Sequence, residues 1–229
     1  MKKTYAYPKY GFNNNQQKKI YLDKLFPCPP SRNYNNLMID TEAVSYITTP
    51  QNSDTIIGII ESQLPDDVFI FDLSILDGTA CVGGDSIGFG KVFQSVIAIE
   101  ADKTKYEMLV NNINVFKLYN VIPTNDNTLN IYRNINFVDI MYFDPPWGGK
   151  SYKDETKLKL TIGYKYIDEI VNDIFNGNIR SDIKMVLFKL PKNYDVRELY
   201  EKTKNDKLMI YMYDMEKMLI ILYKRNDFQ

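Results

Sequence analysis

Histidine is absent from this sequence. Its absence excludes the Ser-His-Asp and Cys-His nucleophile arrangements, histidine-ligated metal sites and the commonest general base. Only two cysteines occur, Cys28 and Cys81, neither in a CxxC spacing, which argues against a disulfide framework and a cysteine zinc site. No apolar run approaches the ~20 residues that span a bilayer, and the charged start Met1-Lys2-Lys3 lacks the apolar stretch of a secretory signal. The expectation is an intracellular monomer, cytoplasmic or nuclear, with no membrane partner and no metal. Carboxylates, backbone groups, aromatic rings and a bound cofactor remain to carry any chemistry.

Charge of either sign is also nearly absent in the balance: 28 Lys and Arg stand against 29 Asp and Glu, a net of −1. Such a weak field gathers no polyanion by itself, so a nucleic acid partner needs a local patch. What is abundant is tyrosine, 18 residues of it, with Asn, Ile and Lys, the coding bias of an AT-rich genome such as a virus can carry.

At 229 residues the chain fits one domain with a short extension. Residues 1–64 divide into a largely irregular arm to residue 36, punctuated by Pro27, Pro29 and Pro30, and a helix opened by Thr49-Pro50 with Ile56, Ile57, Ile59, Ile60 and Leu64 on its apolar side. From residue 65 to 229 short apolar runs alternate with helical stretches. Strands are expected at Phe69–Leu76, Ser95–Ile99, Val121–Thr124, Val138–Phe143, Lys184–Leu190, Lys207–Tyr213 and Lys217–Lys224; helices at Ser86–Phe93, Lys103–Phe116, Tyr164–Phe175 and Val196–Lys204. Continuous apolar strands alternating with helices predict an α/β fold, a mostly parallel sheet of seven strands covered on both faces. The final two strands are joined by only Asp214-Met215-Glu216, too short for a parallel crossover, so the sheet should end in an antiparallel hairpin. This order resembles the Rossmann-like class I methyltransferases.

The segment from Asp77 to Asp85, Asp-Gly-Thr-Ala-Cys-Val-Gly-Gly-Asp, follows a strand and opens a helix, the context of a nucleotide-binding turn. Gly83 and Gly84 allow backbone to approach a ligand. The next strand ends in Glu100, about the ~20 residues downstream at which dinucleotide-type folds place a carboxylate on ribose hydroxyls. Asp102 reads equally as a ribose ligand or as the start of the following helix. Asp126, past the third strand, suits an adenine amine, although a polar loop accounts for it as well.

The sharpest motif is Asp144-Pro145-Pro146-Trp147-Gly148-Gly149 after the apolar run Val138–Phe143. It stands at the carboxyl end of a strand, where open α/β sheets bind ligands. A conjugated amine is a poor nucleophile because its lone pair is delocalised. The Asp144 side chain and the Pro145 carbonyl can accept its two hydrogens while Trp147 stacks on the ring. The lone pair then faces a methyl donor, and Pro145 and Pro146 hold the carbonyl in one direction. Positioning of this kind can supply up to ~7–11 kcal/mol of a bimolecular barrier. A rigid Asp-Pro-Pro turn with no chemistry is the bland alternative.

With Tyr152 just after it, this segment looks like the catalytic stretch of the trimethylguanosine synthases, which methylate the N2 amine of 7-methylguanosine caps. That family commonly has Ser where Asp144 stands, and Asp is closer to the wider amino methyltransferases acting on adenine, cytosine or guanine. Asp77 to Asp85 is similar to the family's cofactor turn, Ile99-Glu100-Ala101-Asp102 to its ribose strand, Tyr46-Ile47-Thr48-Thr49-Pro50 to the aromatic segment before its core, and Phe188-Lys189-Leu190-Pro191-Lys192-Asn193 to its Leu-Pro-Arg-Asn stretch. The resemblance runs from about Leu37 to the C-terminus, and Cys81 departs from it where a glycine is usual. It implies S-adenosylmethionine as cofactor, held by Thr49, Pro50, Asp77, Thr79, Gly83, Gly84, Glu100, Asp126 and Asp144. Catalysis is expected from Asp144, Pro145, Pro146 and Trp147, and substrate contact from Trp147, Tyr152, Lys150, Lys153, Pro191 and Asn193. The implied partner is capped RNA. Its triphosphate would meet Lys18, Lys19, Arg32, Lys150 and Lys153, with Tyr5, Tyr7, Tyr10 and Phe12 lining an RNA-facing arm; a simply disordered tail accounts for that arm equally well. The rivals are an amino methyltransferase for adenine in DNA or guanine in ribosomal RNA, and an inactive RNA-binding module on the same fold.

Overall fold

Short continuous apolar runs suit strands with both faces covered, and the computed structural model, which describes residues 21–135, 137–176 and 183–229, places seven strands in one sheet. In chain order the strands are β1 (Ser74–Asp77), β2 (Ser95–Ile99), β3 (Val121–Thr124), β4 (Ile140–Phe143), the short pair β5 (Thr161–Ile162) and β6 (Lys165–Tyr166), then β7 (Met185–Pro191), β8 (Leu208–Asp214) and β9 (Met218–Arg225). The sheet order is β3-β2-β1-β4-β7-β9-β8, while β5 and β6 form a separate hairpin. Neighbours from β3 to β7 run parallel. Strand β9 runs antiparallel to both β7 and β8, which is the expected terminal hairpin with its second strand inserted inward.

Helices α1 (Pro50–Glu61), α2 (Gly84–Phe89), α3 (Lys103–Phe116), α4 (Thr128–Ile131), α5 (Ile167–Phe175) and α6 (Val196–Thr203) pack around the sheet. Alternate residues of each strand point to opposite faces. Ile75, Ile140, Tyr142, Met185 and Leu187 join a core with the isoleucines of α1 and with Leu22, Phe26, Tyr34 and Leu37 from the preceding segment. Leu76, Met141, Phe143, Val186 and Phe188 join a second core with α5. The register sets Asp77 opposite Tyr142 and Tyr142 opposite Leu187, so β1 and β4 end beside Leu187 and Phe188 while β7 runs on past them to Pro191.

Several elements differ from the sequence reading for identifiable reasons. The arm is not irregular throughout: residues 21–25 are helical, because Leu22 and Phe26 are an i, i+4 apolar pair that the core buries. The first strand starts at Ser74, since Ile70–Asp72 form a 3-10 turn that leaves Phe69 and Phe71 stacked on each other in solvent. The helix expected from Tyr164 starts at Ile167, because the preceding residues turn at Gly163, φ 59°, into the β5–β6 hairpin.

Candidate active site

The turn after β1 is shaped by three backbone constraints. Gly83 caps α2 at φ 100°, a conformation that L residues rarely adopt. A side chain at Gly84 would begin 2.9 Å from the Thr48 carbonyl oxygen and 2.7 Å from Ile47, so the close approach that this glycine permits is to the segment before α1. Cys81 is left-handed at φ 49°, and its N–H donates to Glu100 Oε2 at 2.9 Å. Glu100 Oε1 accepts from the N–H of Asp102 at 2.7 Å, and Asp102 in turn caps α3 through the Lys105 N–H at 2.8 Å. Burial raises the Glu100 carboxyl above its ordinary range, against the pull of those two backbone donors. Asp126 lies past β3, with Oδ1 accepting from the Asn127 N–H and the Asn130 amide at 2.6 and 2.9 Å.

Beyond this turn a polar layer closes the carboxyl ends of β1, β4 and β7. Asp77, 1% exposed, accepts from the Ser86 hydroxyl at 2.5 Å. Burial, with Asp85 and Asp144 close by, pushes its carboxyl up to about 8. The Thr79 hydroxyl accepts from the Asp144 N–H at 2.6 Å, fastening the β1 turn to the β4 loop. Asp85 Oδ2 accepts from the Thr48 hydroxyl at 2.6 Å and the Tyr142 hydroxyl at 3.0 Å. Lys189, in the middle of the buried strand β7, donates to the Thr48 hydroxyl at 2.6 Å and forms an ion pair with Asp144 Oδ2. Desolvation pushes the Asp144 carboxyl up to about 6; Lys189 opposes that rise and Asp85 adds to it. For Lys189 burial works against the charge, yet Asp144 and Asp85 hold its ammonium above the ordinary range.

Trp147 follows on the same loop. Its ring meets Tyr152 edge to face at 5.3 Å, and the Lys189 ammonium lies 5.9 Å from its centroid. The indole N–H is buried and makes no hydrogen bond, although it lies near enough to Asp144 to favour the charged carboxylate. The loop continues into a 3-10 helix at Gly149–Asp154. Asn193, beyond the end of β7, donates both to the Tyr152 carbonyl at 2.6 Å and to the Glu155 carbonyl at 2.8 Å. Its amide therefore holds the loop after β4 in place. Pro191 ends β7 beneath it, Thr49 and Pro50 open α1 beside Thr48, and the Lys153 ammonium lies 6.0 Å from the Tyr152 ring. Arg32 is exposed and away from these partners' hydrogen bonds, in a left-handed turn. Lys18, Lys19, Tyr5, Tyr7, Tyr10 and Phe12 and the side chain of Lys150 lie outside the described residues.

These residues fit a nucleoside that carries a positive sulfur. Glu100 has its carboxylate fixed by two backbone donors and keeps lone pairs for ribose hydroxyls. Deeper in, three carboxyl groups surround one ammonium, and Asp85 Oδ1 is buried without a hydrogen-bond partner, an acidic surrounding that suits a sulfonium. Among the described residues no three acidic or cysteine side chains are grouped to hold a metal, and no helix is long and apolar enough to cross a membrane. Sequence reasoning missed Lys189, Thr48, Asp85 and Tyr142. The available signal was Lys189 itself, a charge inside an apolar run, since a lysine that deep requires a partner.

Comparison with known proteins gives this geometry a family. A model described as RNA cap guanine-N2 methyltransferase matches residues 73–225. An uncharacterized protein of Acanthamoeba polyphaga mimivirus is 32% identical over 220 residues, covering 88% of this chain and 84% of its own. The trimethylguanosine synthase of Schizosaccharomyces pombe is 29% identical over 137 residues, 57% of this chain and 55% of that protein. Among solved structures, precorrin-6y C5,15-methyltransferase from Geobacter metallireducens GS-15 superposes with a TM-score of 0.56 at 13% identity, covering 79% of this chain and 90% of that one. The putative methyltransferase yhhF from Escherichia coli gives 0.53 at 16% identity over 77% and 85%. The fold is therefore the Rossmann-like methyltransferase fold, and the methyl donor implied by family and fold together is S-adenosylmethionine. With a family model spanning the whole sheet and, Thr48 apart, the polar layer from Asp77 to Lys189, the chain belongs to the RNA cap guanine-N2 methyltransferases.

Proposed function

We propose that this methyltransferase acts on the exocyclic N2 amine of 7-methylguanosine at the end of capped RNA. The observation that carries the reading is the pairing of a part-open Asp144 carboxylate, 17% of its side chain exposed, with the Trp147 indole on the loop after β4. In this reading Trp147 stacks on the cationic 7-methylguanine, where attraction to the ring adds ~0.5–2 kcal/mol over a neutral base. Asp144 and the Pro145 carbonyl accept the amine hydrogens, and Pro146 stiffens the turn. The cofactor supplies an electrophilic methyl carbon. Glu100 takes the ribose hydroxyls, Asp126 the adenine amine, and Asp77, Thr79, Gly83 and Gly84 shape the remaining cofactor wall with Thr49 and Pro50. Tyr152 and Pro191 border the base, Asn193 keeps that border in place, and Lys150 and Lys153 meet the triphosphate. These assignments rest on position in the fold and on the family.

One incubation tests the reading. With labelled S-adenosylmethionine and equal amounts of 7-methylated and unmethylated cap dinucleotide, product masses are expected to show methyl gain on the 7-methylated compound by at least ~10-fold. Equal labelling of both would move the substrate to an unmethylated guanine or to adenine, which the Asp in place of the family's usual Ser also accommodates.

A further inference from the structure

Lys189 is the charge that the sequence gives least reason to expect. Its neighbours in β7, Leu187, Phe188 and Leu190, are fully buried, and Lys189 itself is 4% exposed. An ammonium so placed keeps its charge only when every nearby group supports it. Its surroundings are the Thr48 hydroxyl from the segment before α1, Asp77 on β1, Asp85 on α2, Asp144 after β4, and the Trp147 ring. The direction of each hydrogen bond is forced. Thr48 has one hydroxyl hydrogen, and Asp85 Oδ2 takes it. Thr48 must therefore accept from Lys189, so the ammonium is tethered at two points, Thr48 and Asp144.

That tether has a consequence for Asp144. Its Oδ2 is the oxygen that Lys189 holds, and its N–H is held by Thr79. Oδ1 is the oxygen left over. We infer that Lys189 is a positioning residue for methyl transfer: it fixes one oxygen of Asp144 as an ion pair and thereby leaves the other, unprotonated and correctly turned, to accept from the substrate amine. The last clause rests on the proposed amine substrate; the pairing of Lys189 with a charged Asp144 does not. Without the ammonium, Asp144 would sit in a buried layer beside Asp85 and Asp77 with no cation, and its carboxyl would take up a proton at higher pH. A protonated carboxyl there donates a hydrogen bond where an acceptor is needed, and it is free to rotate.

The test uses the full chain without substrate, with carboxyl-carbon NMR reading the titration of Asp144. The wild-type midpoint is expected near 6, and Lys189→Met should raise it by at least ~1 pH unit. With a methyl-accepting amine substrate, the acid limb of kcat should move upward by the same amount, with KM nearly constant and turnover regained at higher pH. A structural lysine that only held the fold would lower stability and leave the limb in place. Should Lys189→Met not fold, Asp144→Asn and the double variant Asp144→Asn/Lys189→Met carry the comparison. With no carboxylate left to keep charged, removing the lysine should change turnover by less than ~3-fold. An unmoved Asp144 midpoint in a folded Lys189→Met protein, or a loss of more than ~10-fold between the two Asn variants, overturns the inference. A raised midpoint in a protein that ignores cap dinucleotides leaves the inference standing and removes only the cap substrate.

Discussion

The central strands β4 and β7 end differently on their two faces. On one face the side chains at this end are Tyr142, Asp144 and Lys189, tied to Thr48 and Asp85 by hydrogen bonds and to each other by an ion pair. On the other face, one residue out of phase, Phe143 and Phe188 stack at 5.2 Å, and Phe188 meets Tyr223 edge to face. The same backbone thus carries a charged layer and an aromatic layer. The apolar layer gains stability from area removed from water and from dispersion. The charged layer gains little net stability, because desolvation offsets the attraction of its ions. Its retention is better explained by what it does to a ligand than by what it does to the fold.

If that division holds, substitutions on the two faces should separate stability from turnover. The largest effect is expected for Phe188→Ala, with about 3–5 kcal/mol lost from unfolding free energy, as for other buried aromatic truncations. Denaturant titration would measure it, with activity per folded molecule nearly unchanged. Asp144→Ala should act on turnover as well as on the fold: turnover per folded molecule falls by at least ~10-fold with cofactor affinity little altered, as for an interaction made mainly in the transition state, while the buried Lys189 ammonium, left without its ion-pair partner, costs stability. Calorimetry with the cofactor beside a turnover assay would check this. A variant of Asp144 with ordinary turnover, or a Phe188 variant that melts like wild type, would dissolve the distinction between the faces.

The charged face also makes a pH prediction that the aromatic face cannot. Burial holds the Asp77 carboxyl near 8 against an ordinary 3.8, so the folded protein keeps a proton that the unfolded chain has already released. Stability from that proton is complete below about pH 4 and is lost as pH rises toward 8, because over that range the unfolded state binds fewer protons. Asparagine cannot titrate, yet its carbonyl can still accept from Ser86. Melting temperatures of wild type and Asp77→Asn, measured from pH 5 to 9, should therefore converge or cross, with the variant gaining on wild type until about pH 8 and running parallel above it. Parallel curves throughout would mean that Asp77 is ionised in the folded state.

How much of this could be read before the structure depends on the range of the interaction concerned. Strands β2 and β3 and helix α3 have the bounds that the apolar runs give, because each run is flanked by turn residues that end it locally. The Asp144 loop is likewise placed by the strand before it. The start of β1 was misplaced because Phe69 and Phe71 are apolar without being buried, and hydrophobicity alone does not distinguish a strand from an exposed aromatic turn. The β5–β6 hairpin was hidden in helical periodicity because its strands are two residues each, and a turn at Gly163 was the only local signal. The Lys189–Asp144 pair joins residues 45 positions apart. Only strand parity brings them to one face, and no spacing rule along the chain contains the register of β4 against β7.

The smallest expected effect concerns the turn after β1, where Cys81 stands in place of the glycine usual in the family. The thiol is part-buried, and that burial, with Glu100 near, pushes it up to about 12, so it has no thiolate chemistry at neutral pH. Its cost is in the backbone: a left-handed L residue is disfavoured by ~1–2 kcal/mol. Cys81→Gly relieves that strain but gives the unfolded chain more freedom to lose, ~0.5–1 kcal/mol, and removes a side chain packed at the edge of the core. The net gain in stability should thus be below about 1 kcal/mol. What matters more is that the contact holding the turn in place is the backbone N–H of residue 81 to Glu100, which glycine retains. Cofactor affinity should be equal or slightly tighter in the variant, measured by calorimetry alongside thermal unfolding. A loss of affinity would mean that the thiol itself touches the ligand, and that the departure from glycine is a feature of this turn's chemistry and not a tolerated strain.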